Sequence, residues 1–109
     1  MVFIAVDGPV LVGSAALVKH GMKQRPELSP WLAAVYVKPE RRRSGIASVL
    51  ISRVEREAMA LGVETLYLFT EHQETFYARR GWNLMEQVDY VGTPASVMNK
   101  QLLAGDGNV

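Results

Sequence analysis

Three consecutive arginines, Arg41, Arg42 and Arg43, stand directly before Ser44 and Gly45, and they have the clearest chemical potential in this chain. Apolar residues recur at spacings of three and four from residue 46 onward, which places the arginines at the start of a predicted helix. The first backbone N–H groups of a helix lack intrahelical partners, and the helix dipole adds positive charge there. Arginines beside such a turn donate paired hydrogen bonds to phosphate oxygens. The segment therefore favours a site for a small anionic ligand.

Two other interpretations of the arginines stay open. They can be solvated residues of a turn in which Gly45 permits an unusual backbone angle, or they can bind nucleic acid. The formal net charge of the chain is only +1, and Glu40, Glu55 and Glu57 dilute the positive potential near the arginines. No aromatic side chain accompanies the arginines to stack on bases. Nucleic-acid binding is therefore the weakest interpretation, and we expect no nucleic-acid partner.

Apolar runs separated by turn signals predict the strands that hold this site. Asp7-Gly8 lies between two such runs and is typical of a β-hairpin. The run 31–37 is apolar throughout and predicts a central strand buried on both faces. A charged loop spans residues 20–30, and the tail 104–109 is expected to fray. The predicted strands are 2–6, 10–19, 31–37, 66–70, 82–91 and 95–103, the last two joined by a turn around Gly92, Thr93 and Pro94.

Two helices are predicted between these strands. The first spans residues 45–61, with Ser44 placed to cap its N-terminus and Gly62 to end it. A shorter helix after residue 70 contains Tyr77 and is closed by Gly81. The strand, helix, strand order predicts a right-handed crossover between parallel strands. These elements form one α/β layer structure, so we expect a single domain over residues 1–109.

The composition excludes several kinds of chemistry. Of the 109 residues, 49% are hydrophobic and 21% are charged, which is typical of a folded protein. The absence of cysteine removes disulfides, thiol nucleophiles and thiolate metal ligands. Two histidines, His20 and His72, are too far apart to form a metal motif, so we expect no metal. Asp7 interrupts the apolar N-terminus well short of a membrane span, and we expect a cytoplasmic protein with no membrane partner.

Two motifs together resemble the GNAT acetyltransferase superfamily. The first is a glutamine or arginine, two residues, a glycine, one residue, and a glycine or alanine, and it occurs at Arg42, Gly45 and Ala47. The second is a Phe-Tyr pair followed by a glycine and an aromatic residue, and it occurs at Phe76, Tyr77, Gly81 and Trp82. The resemblance implies a GNAT-like mixed sheet with splayed central parallel strands, two main helices and a C-terminal antiparallel hairpin.

The resemblance also implies a cofactor, acetyl-CoA, which acts as co-substrate between strands 31–37 and 66–70. Its pantetheine arm would pair with the backbone of Val35, Tyr36 and Val37. Its pyrophosphate would lie on Arg42, Arg43, Ser44, Gly45, Ile46, Ala47 and Ser48. Thr70 and Gln73 are expected to contact the pantetheine arm or to cap the second helix. Arg41 lies where the family tolerates many residues, and we expect it to face solvent.

The implied reaction is direct transfer of the acetyl group to a primary amine of a small molecule or a protein, through a tetrahedral intermediate. A backbone N–H of strand 31–37 would stabilise its oxyanion, and Tyr77 would protonate the departing thiolate. Some members of the family carry a glutamate on that strand as the base, but this sequence has none there. His20, Glu27 and His72 are candidates for the base by residue type alone.

Members of the family usually carry a further strand and one or two helices ahead of a hairpin like the one that begins here at Val2. Without them, the first strand would present an unpaired edge. We therefore expect a homodimer. The alternative function is a non-catalytic acyl-CoA-binding or regulatory module that kept the cofactor cleft.

Overall fold

The computed structural model describes residues 1–102 and confirms the predicted mixed α/β architecture, with a six-stranded sheet in the order β1-β2-β3-β4-β6-β5. The predicted fraying of residues 104–109 lies outside the described residues. No helix within the described part of the chain is long and apolar enough to span a membrane. The elements are β1 (Val2–Asp7), β2 (Val10–Val18), β3 (Trp31–Val37), a 3₁₀ turn (Pro39–Arg41), α1 (Ile46–Ala60), β4 (Thr65–Thr70), α2 (Glu74–Ala78), β5 (Asn83–Tyr90) and β6 (Thr93–Gln101).

The turn of the C-terminal hairpin differs from the prediction. Tyr90 pairs with Thr93, so the loop consists of Val91 and Gly92, with φ of 51° and 82°, and not of Gly92, Thr93 and Pro94. Two left-handed residues suit the twist of a two-residue hairpin loop. Pro94 precedes Ser96, where β6 begins to pair with β4, and it therefore lies where the sheet tolerates a missing N–H.

Helix α1 packs on one face of the sheet, against β1, β2 and β3. Its buried side chains are Leu50, Ile51, Val54 and Ala58. Gly13 on β2 permits this close approach, since a Cβ at Gly13 would lie 3.0 Å from both Ile46 Cγ2 and Leu50 Cδ1. The start of α1 is therefore pressed against the sheet beside the end of β3.

The N-terminal cap of α1 was predicted incorrectly. Gly45, with φ of 86°, holds the N-cap position and makes no side-chain cap. The hydroxyl of Ser44 instead donates a hydrogen bond to the carbonyl oxygen of Arg41. The chain enters the helix through a left-handed residue, which moves the cap one position beyond Ser44. Gly62, with φ of 84°, follows the helix end as predicted.

The other face of the sheet is covered over β3, β4 and β6 by the loop between β2 and β3. Met22 from this loop packs with Trp31 and Val97 in a second hydrophobic cluster. Arg25 fixes the loop to β5 through two hydrogen bonds, from Nε and Nη2 to the carboxylate of Glu86, at 2.5 and 2.9 Å. This hydrogen bonding holds the pKa of Glu86 below its ordinary value. The loop thus fixes the N-terminal half of β3 on the face of the sheet opposite α1.

Strands β3 and β4 are parallel, as predicted, but they separate beyond their first residues. Their one registered pair within the described residues is Trp31 with Tyr67. The prediction that β3 is buried on both faces is therefore wrong for its second half, where Ala34 and Tyr36 are exposed. A continuous apolar run does not reveal that the neighbouring strand turns away. The separation opens a cleft at the carboxyl ends of both strands.

Strand β1 is an edge of the sheet, and the homodimer stays a prediction that this edge supports. Val2, Ile4 and Val6 are 67%, 61% and 58% exposed, whereas Phe3 and Ala5 pack beneath α1. The edge is apolar from Val2 to Val6, with its one charged residue, Asp7, at its end, and an exposed apolar edge is a template for pairing with a second copy. We expect Ile4→Lys to give monomers in sedimentation at micromolar concentration, because it places a charge in the paired edge. Val49→Lys, at an exposed position of α1, is the control, and a monomeric unaltered protein would contradict the prediction.

Candidate active site

The cleft between the separated ends of β3 and β4 has a volume of about 1060 Å³. Helix α1 begins on one side of it, and α2 lies on the other, after the end of β4. Such a gap at the carboxyl ends of parallel strands is where α/β proteins usually bind ligands. It is lined by residues 32–37, 41–43, 45–48 and 68–73, and by Phe76, Tyr77 and Arg80.

The turn that enters α1 holds two left-handed residues, Arg43 with φ of 65° and Gly45 with φ of 86°. This conformation costs a residue with a side chain about 1–2 kcal/mol, so Arg43 is strained. A Cβ at Gly45 would meet no atom within 4 Å, which means that the space above the backbone there is open. Successive backbone N–H groups in turns of alternating hand form a concave anion site. The turn therefore has the geometry of an anion-binding loop.

The charges around this turn are unbalanced. Arg42, Arg43 and Arg80 line the cleft, and none of them forms an ion pair with a carboxylate of the described residues. The first turn of α1 contains no acidic residue. Arg42 Nε donates a hydrogen bond to the carbonyl oxygen of Val37, at 3.1 Å. The cleft thus carries positive charge that a bound anion would neutralise.

Arg41 differs from its two neighbours in its partner. Its side chain is 40% exposed to solvent, and its guanidinium pairs with the carboxylate of Asp7, at the end of β1. The ion pair ties the 3₁₀ turn to the first hairpin. The three arginines are therefore not equivalent, because Arg41 alone among them has a carboxylate partner.

Arg80 is a cleft residue that sequence reasoning missed. Its Nε and Nη2 donate hydrogen bonds to Ser48 Oγ, at 3.1 and 2.7 Å, and its Nη1 donates to the carbonyl oxygen of Phe76, at 3.0 Å. Its guanidinium carbon lies 3.6 Å from the centroid of the Phe76 ring. The sequence places Arg80 beside Arg79 within the second motif, and no local signal separates the two. Only the fold brings Arg80, and not the exposed Arg79, to the start of α1.

Tyr77 lies in the same cleft and is 7% exposed. Its ring packs edge-on against Phe76 and Trp82, with centroid distances of 5.1 and 6.0 Å. Burial raises the pKa of Tyr77, and the positive charge of Arg80 opposes this to a smaller extent. The phenol is therefore protonated at neutral pH and is able to act as a proton donor.

A β-bulge shapes the wall that β3 contributes. Ser14 pairs with Tyr36 and Ala16 with Ala33, so two residues of β3 oppose one of β2. Ala34, within the bulge, has a φ of 54°, and its carbonyl oxygen accepts a hydrogen bond from Ser14 Oγ at 3.2 Å. A bulge re-aims backbone groups and often lies next to an active site. Val35, expected with Tyr36 and Val37 to pair with a pantetheine arm, is the second residue of the bulge; Tyr36 and Val37 follow it, and all three line the cleft.

The remaining predicted residues divide between the cleft and the rest of the surface. Thr70 and Gln73 line the cleft, and Thr70 Oγ1 also accepts a hydrogen bond from the backbone N–H of Gln73 at 3.0 Å, which is a capping contact. His72 lines the cleft beside Glu71, whereas His20 and Glu27 do not line it. Ile46, Ala47 and Ser48 line it as well, but Ser44 does not. Residues 1–102 contain no group of three potential metal ligands.

The fold and the cleft define an α/β protein with a ligand cleft between two splayed parallel strands. More narrowly, the chain belongs to the GNAT acetyltransferase family, because residues 1–84 match the model of the acetyltransferase (GNAT) domain. This match confirms the resemblance inferred from the two sequence motifs.

The chain is also similar in sequence to a known acetyltransferase and in fold to two solved structures. An amino-acid acetyltransferase of Pseudomonas syringae pv. syringae is 33% identical over 70 residues, which are 64% of this chain but only 16% of that protein. The crystal structure of an aminoglycoside 6'-N-acetyltransferase complexed with coenzyme A matches with a TM-score of 0.79 at 22% identity, over 93% of this chain and 72% of that one. The structure of N-acetylglutamate synthase from Neisseria gonorrhoeae, complexed with coenzyme A and N-acetyl-glutamate, matches with a TM-score of 0.74 at 18% identity. The match covers 91% of this chain and 25% of that one.

The difference between the arginines gives a graded prediction for titration calorimetry with coenzyme A. We expect Gly45→Val to abolish binding, because valine resists the left-handed angle and fills the open space above the turn. Arg42→Gln and Arg43→Gln should each weaken binding tenfold or more, as expected for a lost charge-assisted hydrogen bond of about 1.5–3 kcal/mol. Arg41→Gln should matter least, because Asp7 already engages that side chain. Equal losses at all three arginines would contradict this order and indicate a plain basic patch.

Proposed function

We propose that this chain is an acetyl-CoA-dependent N-acetyltransferase that transfers an acetyl group to a primary amine. The observation that carries the proposal is a single cleft that combines an unneutralised, anion-binding helix start with a buried, protonated tyrosine. The first feature suits the phosphates of coenzyme A, and the second suits its departing thiolate. The two solved relatives described above were crystallised with coenzyme A, which supports this choice of cofactor.

The proposed pose of the cofactor follows the two chemical parts of coenzyme A. The amides of the pantetheine arm require backbone-like partners, which the free edge of β3 offers at Val35, Tyr36 and Val37, with Thr70 and Gln73 on the opposite wall. The pyrophosphate requires N–H donors and positive charge, which the start of α1 offers. Its proposed contacts are Arg42, Arg43, Gly45, Ile46, Ala47 and Ser48, and Ser44 through its backbone.

The proposed chemistry is attack of a neutral amine on the thioester carbonyl, which gives a tetrahedral intermediate. A backbone N–H of the bulged strand β3 stabilises the oxyanion, and Tyr77 donates its proton to the sulfur as the carbon–sulfur bond breaks. A thiol has an ordinary pKa of about 8.5 and a phenol of about 10. Desolvation raises both pKa values in the same direction, so it leaves their difference small, and the positive charge of Arg80, which lowers the pKa of Tyr77, acts in favour of the proton transfer.

The acceptor must lose a proton before it attacks, and the cleft offers few groups to remove it. Strand β3 bears no carboxylate, and Glu71 and His72 are the acidic and imidazole side chains on the described cleft wall. An α-amino group, with a pKa of about 7.7–8.0 in peptides, is deprotonated to a larger extent than a lysine amine, with a pKa of about 10.4. We therefore propose an α-amine as the preferred acceptor class, which agrees with the name of the amino-acid acetyltransferase.

The proposal is tested by thiol release from acetyl-CoA in the presence of an amine panel. The panel contains amino acids, a peptide with a free α-amine, N-acetyl-lysine ethyl ester and an aminoglycoside. We expect amine-dependent thiol release, with the α-amines ahead of the lysine side chain at neutral pH. Tight binding of coenzyme A without turnover on any amine would instead support a non-catalytic acyl-CoA-binding module. Affinity for nucleic acid that falls steeply with salt, and that coenzyme A does not displace, would contradict both.

The acid role is tested with Tyr77→Phe, which keeps the ring packing and removes the hydroxyl. General acid catalysis contributes about 10²–10⁴-fold, so we expect a loss of turnover of at least 10²-fold with acetyl-CoA affinity unchanged. Because burial raises the pKa of Tyr77, the phenol stays protonated at neutral and mildly alkaline pH. The ratio of turnover between the unaltered protein and Tyr77→Phe should therefore stay constant from pH 7 to 9. Tyr67→Phe, in the cluster on the opposite face of the sheet, is the matched control. Unchanged turnover of Tyr77→Phe would remove the role.

A further inference from the structure

Arg80 and Ser48 join the two helices that border the cleft. Ser48 lies in the first turn of α1, and Arg80 follows α2 by two residues. Two nitrogens of the Arg80 guanidinium, Nε and Nη2, donate hydrogen bonds to Ser48 Oγ, at 3.1 and 2.7 Å. Both residues line the cleft at the end where the unpaired arginines collect.

The number of hydrogen bonds at Ser48 Oγ determines what this hydroxyl can do. A serine hydroxyl has one proton to donate and two lone pairs that accept. The two N–H groups of Arg80 occupy both lone pairs, so the proton is the only hydrogen-bonding group that Ser48 still offers. The adjacent guanidinium charge also polarises the O–H bond and makes it a better donor. Ser48 is therefore set as a donor beside the free N–H groups of α1.

The side chain of Arg80 lies between two helix ends, the C-terminal end of α2, where it donates to the Phe76 carbonyl oxygen, and the N-terminal end of α1. A cation is stabilising near the C-terminus of a helix and opposes the dipole near the N-terminus. Arg80 nevertheless lies against the first turn of α1, and no carboxylate of the described residues pairs with it. A phosphate at this turn would accept from Ser48 and the helix N–H groups and would neutralise the guanidinium.

We propose that Arg80 is a positioning residue that fixes Ser48 as a hydrogen-bond donor to a phosphate of coenzyme A. The proposal rests on the proposed function only for the identity of the cofactor. It gives Arg80 a role that neither sequence motif specifies, since Arg80 occupies an unspecified position between Tyr77 and Gly81 of the second motif. Arg80 thereby couples the helix that carries Tyr77 to the anion-binding turn.

The backbone of Arg80 is held independently of its side chain, which makes substitution informative. Lys100 Nζ donates hydrogen bonds to the carbonyl oxygen of Arg80, at 2.8 Å, and to Glu55 Oε1, at 2.9 Å. Trp82 Nε1 donates to the other oxygen of Glu55, at 3.3 Å. This network links α1, β6 and the turn after α2 through partly buried groups. A change at the Arg80 guanidinium should therefore leave the turn and α2 in place.

The test compares coenzyme A with S-acetyl-pantetheine, which lacks the phosphates, in titration calorimetry on the 109-residue chain. We expect Arg80→Gln and Ser48→Ala each to weaken coenzyme A binding about tenfold and to leave S-acetyl-pantetheine binding within twofold of the unaltered protein. In the Arg80→Gln background, Ser48→Ala should add less than a twofold loss, because the two side chains act as one unit. Arg79→Gln, which removes the neighbouring exposed arginine, should leave both affinities unchanged.

Three outcomes would overturn the inference. If Arg80→Gln binds coenzyme A as tightly as Arg79→Gln does, Arg80 has no such role. Equal losses for coenzyme A and S-acetyl-pantetheine would show that Arg80 merely supports the cleft wall. Independent, multiplying losses in the double variant would show that Arg80 does not act through Ser48. If coenzyme A does not bind the unaltered protein, the proposed function fails together with this inference, whereas binding without turnover would leave the inference testable by the same titration.

Discussion

The structure depends on the divergence of two parallel strands, β3 and β4, after one registered pair at Trp31 and Tyr67. A strand edge with no neighbour leaves backbone N–H and C=O groups that must find water or a ligand. The protein keeps this opening from closing by fixing β3 near both of its ends. Trp31 is packed in the cluster beneath the β2–β3 loop, and Gly13, which pairs with Val37 at the other end of β3, lets α1 press against β2. The cleft is thus a consequence of packing at both ends of β3.

The helix start beside this opening carries strain and like charge that packing alone does not explain. Arg43 adopts a left-handed conformation, and three arginines without carboxylate partners border the positive end of α1 within the described residues. Strain and unpaired charge cost stability unless function requires them. An anionic ligand resolves both features at once, because it binds the exposed N–H groups and neutralises the guanidinium groups. This turn and the free edge of β3 are therefore two parts of the proposed coenzyme A site.

The sequence predicted the elements well because their signals are local. Each strand and helix follows from periodicity and from glycines in turns, and the two motifs identified the family that the domain match confirms. One error arose where a distant element decides the outcome, because the departure of β4 exposed the second half of β3. A capping residue was misplaced at Ser44 because the left-handed angle at Gly45 has no unambiguous signal in the residues around it.

Arg80 is the clearest case of a residue that only the folded chain distinguishes. It shares its type and its motif with Arg79, but the two adjacent side chains at the end of a short helix point in different directions, and one of them reaches α1. What selects Arg80 is the register between α2 and α1, which is set by the shared core of Leu50, Tyr77 and Trp82. That core places the proton donor and the guanidinium on one rigid unit. The turn that enters α1 and the proposed catalytic tyrosine are therefore positioned by the same packing, and Arg80 contacts both helices through Phe76 and Ser48.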